Sequence, residues 1–144
     1  MIPPRWMLRI LWAEDKLLSR LSGGRLALPN RSGGILRTLF LRTIGRRSGE
    51  PKRNGLYYVE DGPNLGVVAS NAGRDAEPAW WLNLQAQPDA EVEVGKEVRP
   101  IRARRATTEE AARIWQQFVA GDSGYAEYER RTTRAIPVVI LEPR

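Results

Sequence analysis

The sequence of 144 residues contains no cysteine and no histidine. The absence of cysteine excludes disulfides and thiolate metal sites, and nothing indicates an oxidising compartment, so we expect a cytoplasmic protein. The absence of histidine removes the commonest general base near neutral pH and a common metal ligand, so we expect no metal centre. If the protein is an enzyme, we therefore expect a bound organic cofactor to supply the chemistry.

Long hydrophobic runs are also missing. Residues 4–21 mix tryptophan and leucine with arginine and lysine in an imperfectly amphipathic helical pattern. Because Glu14 and Asp15 interrupt it, neither a membrane-spanning helix nor a signal peptide fits. We favour a helix packed on the domain, and a helix at the inner face of the membrane is the alternative. Residues 23–34 resemble a linker, so the expected organisation is a helix and linker, 1–34, followed by one domain, 35–144.

The sequence has enough hydrophobic content for one core, and it has an excess of positive charge. The hydrophobic fraction is 42% and the net charge is +6. Positive charge concentrates in residues 37–53 and 96–105, where six and five basic residues respectively accompany a single glutamate. Such local fields attract phosphate, polycarboxylate, nucleic acid or lipid head groups, and composition alone does not choose among these anions.

From residue 36 onward the pattern changes to short strand-like runs separated by turns. The predicted strands are 36–43, 56–60, 65–70, 90–94, 98–106 and 136–141. Turn residues at 45–51, 61–63 and 95–96 have hairpin spacing and indicate mostly antiparallel pairing. Helices are predicted over 78–85 and over 107–120, where Thr107 and two glutamates suit a helix start. Without β-α-β alternation, the expected fold class is α+β, a mostly antiparallel sheet or small barrel with peripheral helices.

A glycine-flanked turn presents Arg46, Arg47 and Ser48. Free backbone N–H groups together with arginines suit phosphate or carboxylate ligands. The turn is not a P-loop, because no G-K-[ST] closes it. On this feature alone, a solvated basic turn is the favoured interpretation.

Three later segments could face a ligand or could simply be structural. Residues 67–73 pass from a buried strand into small and polar residues, which lets a planar ligand approach the backbone. In the helix predicted over 78–85, Trp80 and Asn83 share a face, although tryptophans are also typical core residues. Tyr125 and Tyr128 share a face if their segment is helical, and spacing alone favours a packing role over an aromatic pocket.

The order of these motifs is more specific than any one of them. They cover roughly residues 36–143 and run Thr43-Ile44-Gly45-Arg46-Arg47-Ser48-Gly49-Glu50-Pro51, Leu56-Tyr57, Ala69-Ser70-Asn71-Ala72-Gly73, Pro78-Ala79-Trp80-Trp81-Leu82-Asn83-Leu84, Tyr125 with Tyr128, and Ile136-Pro137-Val138-Val139. In this order and spacing, the series resembles the deazaflavin-dependent nitroreductase family.

The resemblance implies a split β-barrel over residues 35–144, related to flavin-binding oxidoreductases, that uses reduced coenzyme F420. This deazaflavin has a tail with a phosphodiester and an oligoglutamate, both of them anionic. The family positions that hold the tail correspond to Arg46, Arg47, Ser48, Gly49 and Lys52. The positions beside the rest of the cofactor correspond to Asn54, Tyr57, Ala69, Ser70, Asn71, Trp80 and Asn83.

The activity that the resemblance implies is hydride transfer from the reduced deazaflavin to an electron-poor small molecule, such as a quinone, a nitroaromatic or an activated enone. Ser70 would hydrogen-bond the acceptor or the ring, and Tyr125 and Tyr128 match a lid over the substrate. Asn71 stands where some relatives carry lysine and Gly55 where proline is common, so we expect a more open or more polar pocket.

Two alternatives to this activity stay open. The chain could be a noncatalytic, lipid- or membrane-associated cofactor-binding relative, which its first helix and basic runs would suit. It could also be an FMN-dependent reductase. We expect no nucleic-acid partner, since only the charge favours one. A monomer and a homodimer are both compatible with the sequence.

Overall fold

The structure is a computed structural model that describes residues 36–144. The predicted N-terminal helix and linker, 1–34, lie outside the described residues, and that division of the chain stays a prediction. Within the described part, the strands are β1 (Arg37–Ile44), β2 (Pro51–Asp61), β3 (Asn64–Val68), β4 (Asp89–Val94), β5 (Glu97–Arg105) and β6 (Val138–Pro143). The α-helices are α1 (Ala79–Ala86), α2 (Thr108–Gly121) and α3 (Gly124–Arg131), and a short 3₁₀ turn spans Asn71–Gly73.

The six strands close into a barrel in the order β1-β2-β3-β6-β5-β4. Consecutive strands form the hairpins β1-β2, β2-β3 and β4-β5. The late strand β6 lies between β3 and β5, and β1 pairs with β4, which completes the closure. Every pair is antiparallel, so the predicted α+β class with an antiparallel barrel is confirmed.

The main difference from the predicted boundaries is in β2, which begins at Pro51 instead of residue 56. Residues 51–55 lack hydrophobic alternation, but they pair with β1, where Lys52 lies opposite Thr43 and Asn54 opposite Leu41. The partner strand therefore extends β2 where local propensity does not. As a result, one continuous strand runs from the basic turn to Tyr57.

Successive strand residues point to opposite faces and divide the core into two clusters. Val67 belongs to the cluster inside the barrel, which includes Leu39, Leu41, Val92 and Leu141. Val68 belongs to a cluster between the outside of the barrel and helices α2 and α3, which includes Ile140, Ile114, Phe118 and Tyr125. The second cluster therefore packs α2 and α3 against the outside of the barrel.

Helix α2 begins as the sequence predicts. The hydroxyl of Thr107 accepts from the backbone N–H of Glu110 at 3.3 Å, and the Glu110 carboxylate accepts from the backbone N–H of Thr107 at 2.9 Å. This capping box satisfies two N–H groups at the first turn, where no helical acceptor exists. None of the helices in residues 36–144 combines the length and the apolar character needed to cross a membrane.

Candidate functional site

A cavity of ≈ 520 Å³ lies where the middle of β2 and the end of β3 meet helices α1 and α3. This volume falls within the usual range of small-molecule sites, about 300–1,000 Å³. Of the residues predicted at the site, those that line the cavity are Asn54, Tyr57, Ser70, Asn71, Trp80, Tyr125 and Tyr128. The fold therefore brings together three segments that are far apart in the sequence.

The basic turn connects β1 to β2 and is closed by its own backbone. The N–H of Gly45 donates to the carbonyl of Glu50 at 2.7 Å, and the N–H of Gly49 donates to the carbonyl of Gly45 at 2.8 Å. Gly49 has φ +71°, a conformation that favours glycine, and a Cβ on Gly45 would lie 2.6 Å from the Ser48 hydroxyl. Gly49 is thus required by the backbone of the turn, whereas a Cβ at position 45 would require the Ser48 side chain to move.

This turn keeps unused hydrogen-bond donors. The side chains of Arg46 and Arg47 are exposed. Among the described residues, the backbone N–H groups of Arg47 and Ser48 have no acceptor, whereas the N–H of Glu50 donates to the Ser48 hydroxyl at 3.1 Å. Adjacent free N–H groups beside arginines are an arrangement that can bind an anion.

Asn83 fixes the turn to helix α1. Its Oδ1 accepts from the backbone N–H of Arg46 at 3.1 Å and from the Arg46 guanidinium at 3.3 Å, while its Nδ2 donates to the Thr43 hydroxyl at 3.2 Å. Asn83 is 3% exposed. The structure therefore shows it positioning the turn, and it is not one of the residues that line the cavity.

Several of the cations counted in the sequence are engaged with carboxylates. Glu93 accepts from Arg42 at 2.7 Å and from Arg53 at 3.0 Å, and Arg53 also covers the Phe40 ring at 3.5 Å from its centroid. Burial by itself would raise the pKa of Glu93, but the hydrogen bonds from Arg53 and Arg42 outweigh it and lower that pKa. The local excess of charge that remains for a ligand therefore comes from Arg46, Arg47 and Lys52.

The second basic run is engaged in the same way. Arg99 contacts Glu97 at 3.2 Å, Arg102 contacts Asp89 at 2.7 Å, and Arg104 contacts Glu110 at 2.7 Å. The pKa of Asp89 is lowered by its hydrogen bond from Arg102. Most of the charge in residues 96–105 is thus neutralised locally.

The loop after β3 has an unusual backbone. Asn71 and Ala72 have φ of 49° and 57°, in the left-handed region that residues other than glycine rarely adopt, and Gly73 follows with φ 79°. Asparagine tolerates this region, and the Asn71 side chain donates to the carbonyl of Ala76 at 2.9 Å. Such strained residues often cluster at ligand sites, and here Asn71 and Ala72 line the cavity.

Arg134, which sequence reasoning did not select, clamps this loop. Its guanidinium donates to the carbonyl of Ala69 at 3.1 Å, to that of Ser70 at 2.9 Å and to that of Arg74 at 3.0 Å. Its Nη1 is buried and has no partner within the described part of the chain. Nothing in the local sequence distinguished Arg134 from the other arginines near the C-terminus, because its role depends on contacts 60 to 65 residues away.

The tyrosines of α3 form an aromatic wall over the cavity. Tyr125 and Tyr128 pack edge to face with ring centroids 5.4 Å apart, and Tyr125 packs in the same way on Phe118 at 5.0 Å. Tyr125 is 8% exposed. The tyrosines therefore pack α3 against the domain, and the same residues line the cavity. Their role toward a substrate stays a prediction.

The other predicted site residues lie outside the cavity lining. Ala69 is fully buried, with its N–H donating to Pro137 and its carbonyl accepting from Arg134. Arg46, Arg47, Ser48, Gly49 and Lys52 lie at the turn or next to it. The lining residues that were not predicted are Gly55, Leu56, Val68, Ala72, Arg74, Pro78 and Ala79. Most of them adjoin predicted residues in the chain. The assignment of these residues to a cofactor or a substrate stays a prediction.

The fold and the site together define a class of protein. A solved structure described as an F420-H2 dependent reductase is 32% identical, with a TM-score of 0.67 over 82% of this chain and 100% of that chain. Another, described as a domain-swapped dimer, is 30% identical, with a TM-score of 0.68 over 93% of this chain and 99% of that chain. The chain is a split-barrel reductase of the F420-dependent type, which confirms the predicted fold.

The family follows from the sequence comparison. The model of the F420H(2)-dependent quinone reductase family matches residues 22–143. An F420H(2)-dependent quinone reductase of Mycobacterium tuberculosis (strain ATCC 25618 / H37Rv) is 34% identical over 148 aligned positions, which cover 97% of each chain. The chain belongs to the F420H(2)-dependent quinone reductase family. The resemblance seen in the sequence, the oxidoreductase class, the predicted hydride transfer and coenzyme F420 as cofactor are thereby confirmed.

Proposed function

We propose that the basic turn holds the anionic tail of reduced coenzyme F420 and that the adjoining cavity holds its ring together with a quinone. One observation carries this assignment. Strand β2 and helix α1 both run from the basic turn, which is cationic and rich in hydrogen-bond donors, to a part of the cavity whose wall is aromatic and uncharged. Lys52 at the turn and Tyr57 at the cavity lie on the same strand, separated by about 17 Å at the usual rise of an extended chain.

The turn fits a phosphodiester or a carboxylate. Arg46 and Arg47 supply forked donors, and the free N–H groups of Arg47 and Ser48 supply backbone donors beside them. Lys52 has its ammonium 3.8 Å from Glu50, an exposed and weak pair that an anionic ligand can displace. Asn83 keeps the backbone of Arg46 in place before the ligand arrives, which lowers the entropy lost on binding.

The cavity fits a planar ring. Trp80 and the α3 tyrosines provide aromatic surface, and Asn54 and Ser70 provide polar atoms at its edge. Tyr57 lines the cavity, and its hydroxyl is buried and has no partner among residues 36–144. Such an orphaned group is costly unless a ligand satisfies it.

The bound reduced deazaflavin supplies the hydride, and the chain supplies position and exclusion of water. Ser70 Oγ would hydrogen-bond the acceptor or the ring, and Arg134 fixes the Ser70 backbone through its carbonyl. Tyr125 and Tyr128 would cover the acceptor and keep water from it. No carboxylate lines the cavity within the described residues, which agrees with a reaction that needs no side-chain base.

The decisive experiment replaces Arg47 by glutamate. Fluorescence titration with oxidised coenzyme F420 should show that Arg47→Glu abolishes measurable binding, because it removes a donor and repels the tail. The matched control is Arg99→Glu, a charge reversal on β5 far from the turn, which should bind like the wild type. Equal affinity for Arg47→Glu and the wild type would refute the assignment of the turn.

The same titration distinguishes the two candidate cofactors. The apoprotein should bind coenzyme F420 more tightly than FMN, because FMN lacks the oligoglutamate that the turn would hold. Raising the salt concentration should weaken F420 binding, since the contacts at the turn are exposed and electrostatic. A preference for FMN would support the flavin-dependent alternative.

The acceptor and the partners need separate tests. A quinone is the acceptor named by the family, and turnover of quinones, nitroaromatics and activated enones under the same conditions would rank the three classes.

The solved relative described as a domain-swapped dimer supports the homodimer, which light scattering would test. A membrane contact of the first helix predicts that deleting residues 1–22 abolishes binding to anionic vesicles and leaves cofactor binding intact.

A further inference from the structure

Arg74 is the one charged residue that lines the cavity within the described residues. Its side chain is exposed, and no carboxylate of residues 36–144 forms an ion pair with its guanidinium. Many other arginines of the described part have an acidic partner. Arg74 differs from them because it lies at the cavity wall without such a partner.

The backbone of Arg74 is held from two sides. Its N–H donates to the carbonyl of Asn71 at 3.1 Å, and its carbonyl accepts from Arg134 at 3.0 Å. The adjacent Asp75 accepts from the Thr132 hydroxyl at 3.3 Å, which engages one oxygen of the nearest carboxylate in the sequence. The position of Arg74 on the cavity wall is therefore fixed even though its side chain is solvated.

Arg74 lies at the end of the cavity away from the basic turn. Gly73, its neighbour, packs against α3, because a Cβ there would lie 3.0 Å from Cα of Tyr128. The turn is held instead by Asn83, in the second half of α1. An anion on Arg74 would therefore lie beside the tyrosine wall, where the acceptor is placed, and apart from the cofactor tail.

We propose that Arg74 makes the acceptor end of the cavity selective for quinones that carry an anionic substituent. This inference rests on the proposed function, since it takes the tyrosine end of the cavity as the acceptor site. A cation in a cleft without opposing carboxylates raises the local concentration of anions, and the arginine fork suits a sulfonate or carboxylate. A quinone of the same shape without the charge gains nothing from this residue.

The test compares naphthoquinone sulfonate with unsubstituted naphthoquinone by calorimetry, on protein loaded with oxidised coenzyme F420 and on protein without it. The ratio of the two affinities should fall about fivefold in Arg74→Gln, the size expected for a partly solvated ion pair. Arg74→Lys should retain part of the preference, and Arg99→Gln should retain all of it. Higher salt should reduce the ratio in the wild type.

The outcomes separate the two proposals. An unchanged ratio in Arg74→Gln overturns the role of Arg74, whatever the cofactor does. If Arg74→Gln weakens the binding of coenzyme F420 as much as the binding of the sulfonate, the residue contacts the cofactor tail, and the proposal is also wrong. If the wild type binds no coenzyme F420, the proposed cofactor site fails, while the ratio measured on cofactor-free protein still decides whether Arg74 selects anions.

Discussion

Asn83 Oδ1 accepts two hydrogen bonds from Arg46, one from its backbone and one from its guanidinium. One buried amide thus connects helix α1, whose first turn lines the cavity, to the turn that would hold the cofactor tail. The same helix therefore positions the cavity and the turn relative to each other. A substitution of Asn83 should affect cofactor binding even though Asn83 itself does not contact the cofactor.

The first prediction concerns this connection. Replacing Asn83 by alanine leaves the Arg46 N–H and the Thr43 hydroxyl without their partner. We expect the free energy of unfolding to fall by about 1–3 kcal/mol and the affinity for coenzyme F420 to weaken, because the turn loses its anchor. Gln85→Ala, on the exposed side of the same helix, is the control and should change neither quantity. Chemical denaturation and fluorescence titration measure the two effects, and an Asn83→Ala variant with wild-type affinity would contradict the positioning role.

The fold could be predicted from the sequence to a large extent because its signals are local. The turn residues at 61–63 and 95–96, the continuous apolar run in β3 and the alternation in β4 locate strands without knowledge of their partners. The start of β2 could not be found in this way, since Lys52 and Asn54 become strand residues only through their pairing with β1. Closure of the barrel likewise depends on β6 lying between β3 and β5.

The sequence indicated the parts of the candidate site that are contiguous motifs. It did not indicate the parts that depend on contacts between residues far apart in the sequence. The basic turn and the tyrosine pair stand out in the sequence. Arg134 does not, because its three carbonyl partners lie on the loop after β3. The number of basic residues in 37–53 also overstates the charge available to a ligand, because Arg42 and Arg53 form a cluster with Glu93.

The second prediction concerns the Arg134 clamp. Arg134→Gln removes donors to the carbonyls of Ala69, Ser70 and Arg74, and we expect a loss of about 2–3 kcal/mol in the free energy of unfolding. The loop that carries Ser70 should also become mobile, so amide hydrogen exchange at residues 70–74 should accelerate more than the global loss explains. Arg130→Gln, which removes an exposed pair with Glu127, should leave the free energy of unfolding nearly unchanged. Equal effects of the two variants would show that the clamp contributes nothing specific.

The third prediction uses two glycines that share a backbone conformation and differ in their surroundings. Gly62 has φ +60°, and a Cβ there would have no atom within 4 Å, so Gly62→Ala should cost only the strain of a left-handed alanine, about 1–2 kcal/mol. Gly73 has φ +79°, and a Cβ there meets the backbone of Tyr128 at 3.0 and 3.1 Å. Gly73→Ala should therefore cost clearly more and should also weaken quinone binding by displacing α3. Thermal unfolding of both variants gives the comparison, and a smaller loss for Gly73→Ala would refute the close packing.

The last prediction concerns stability in acid. The hydrogen bonds from Arg104 and from the backbone of Thr107 lower the pKa of Glu110 from 4.5 to about 2. Because the pKa is lower in the folded state, the folded protein binds fewer protons than the unfolded chain between these two values, and stability should fall as the pH falls through that window. Above pH 4.5 the contribution of Glu110 should be fully present. Glu110→Gln should flatten this part of the profile, whereas Glu109→Gln, at the exposed neighbour, should leave it unchanged. Urea denaturation from about pH 2 to about pH 6 measures the profile, and a wild-type slope retained in Glu110→Gln would assign the acid sensitivity to other carboxylates, Glu93 first among them.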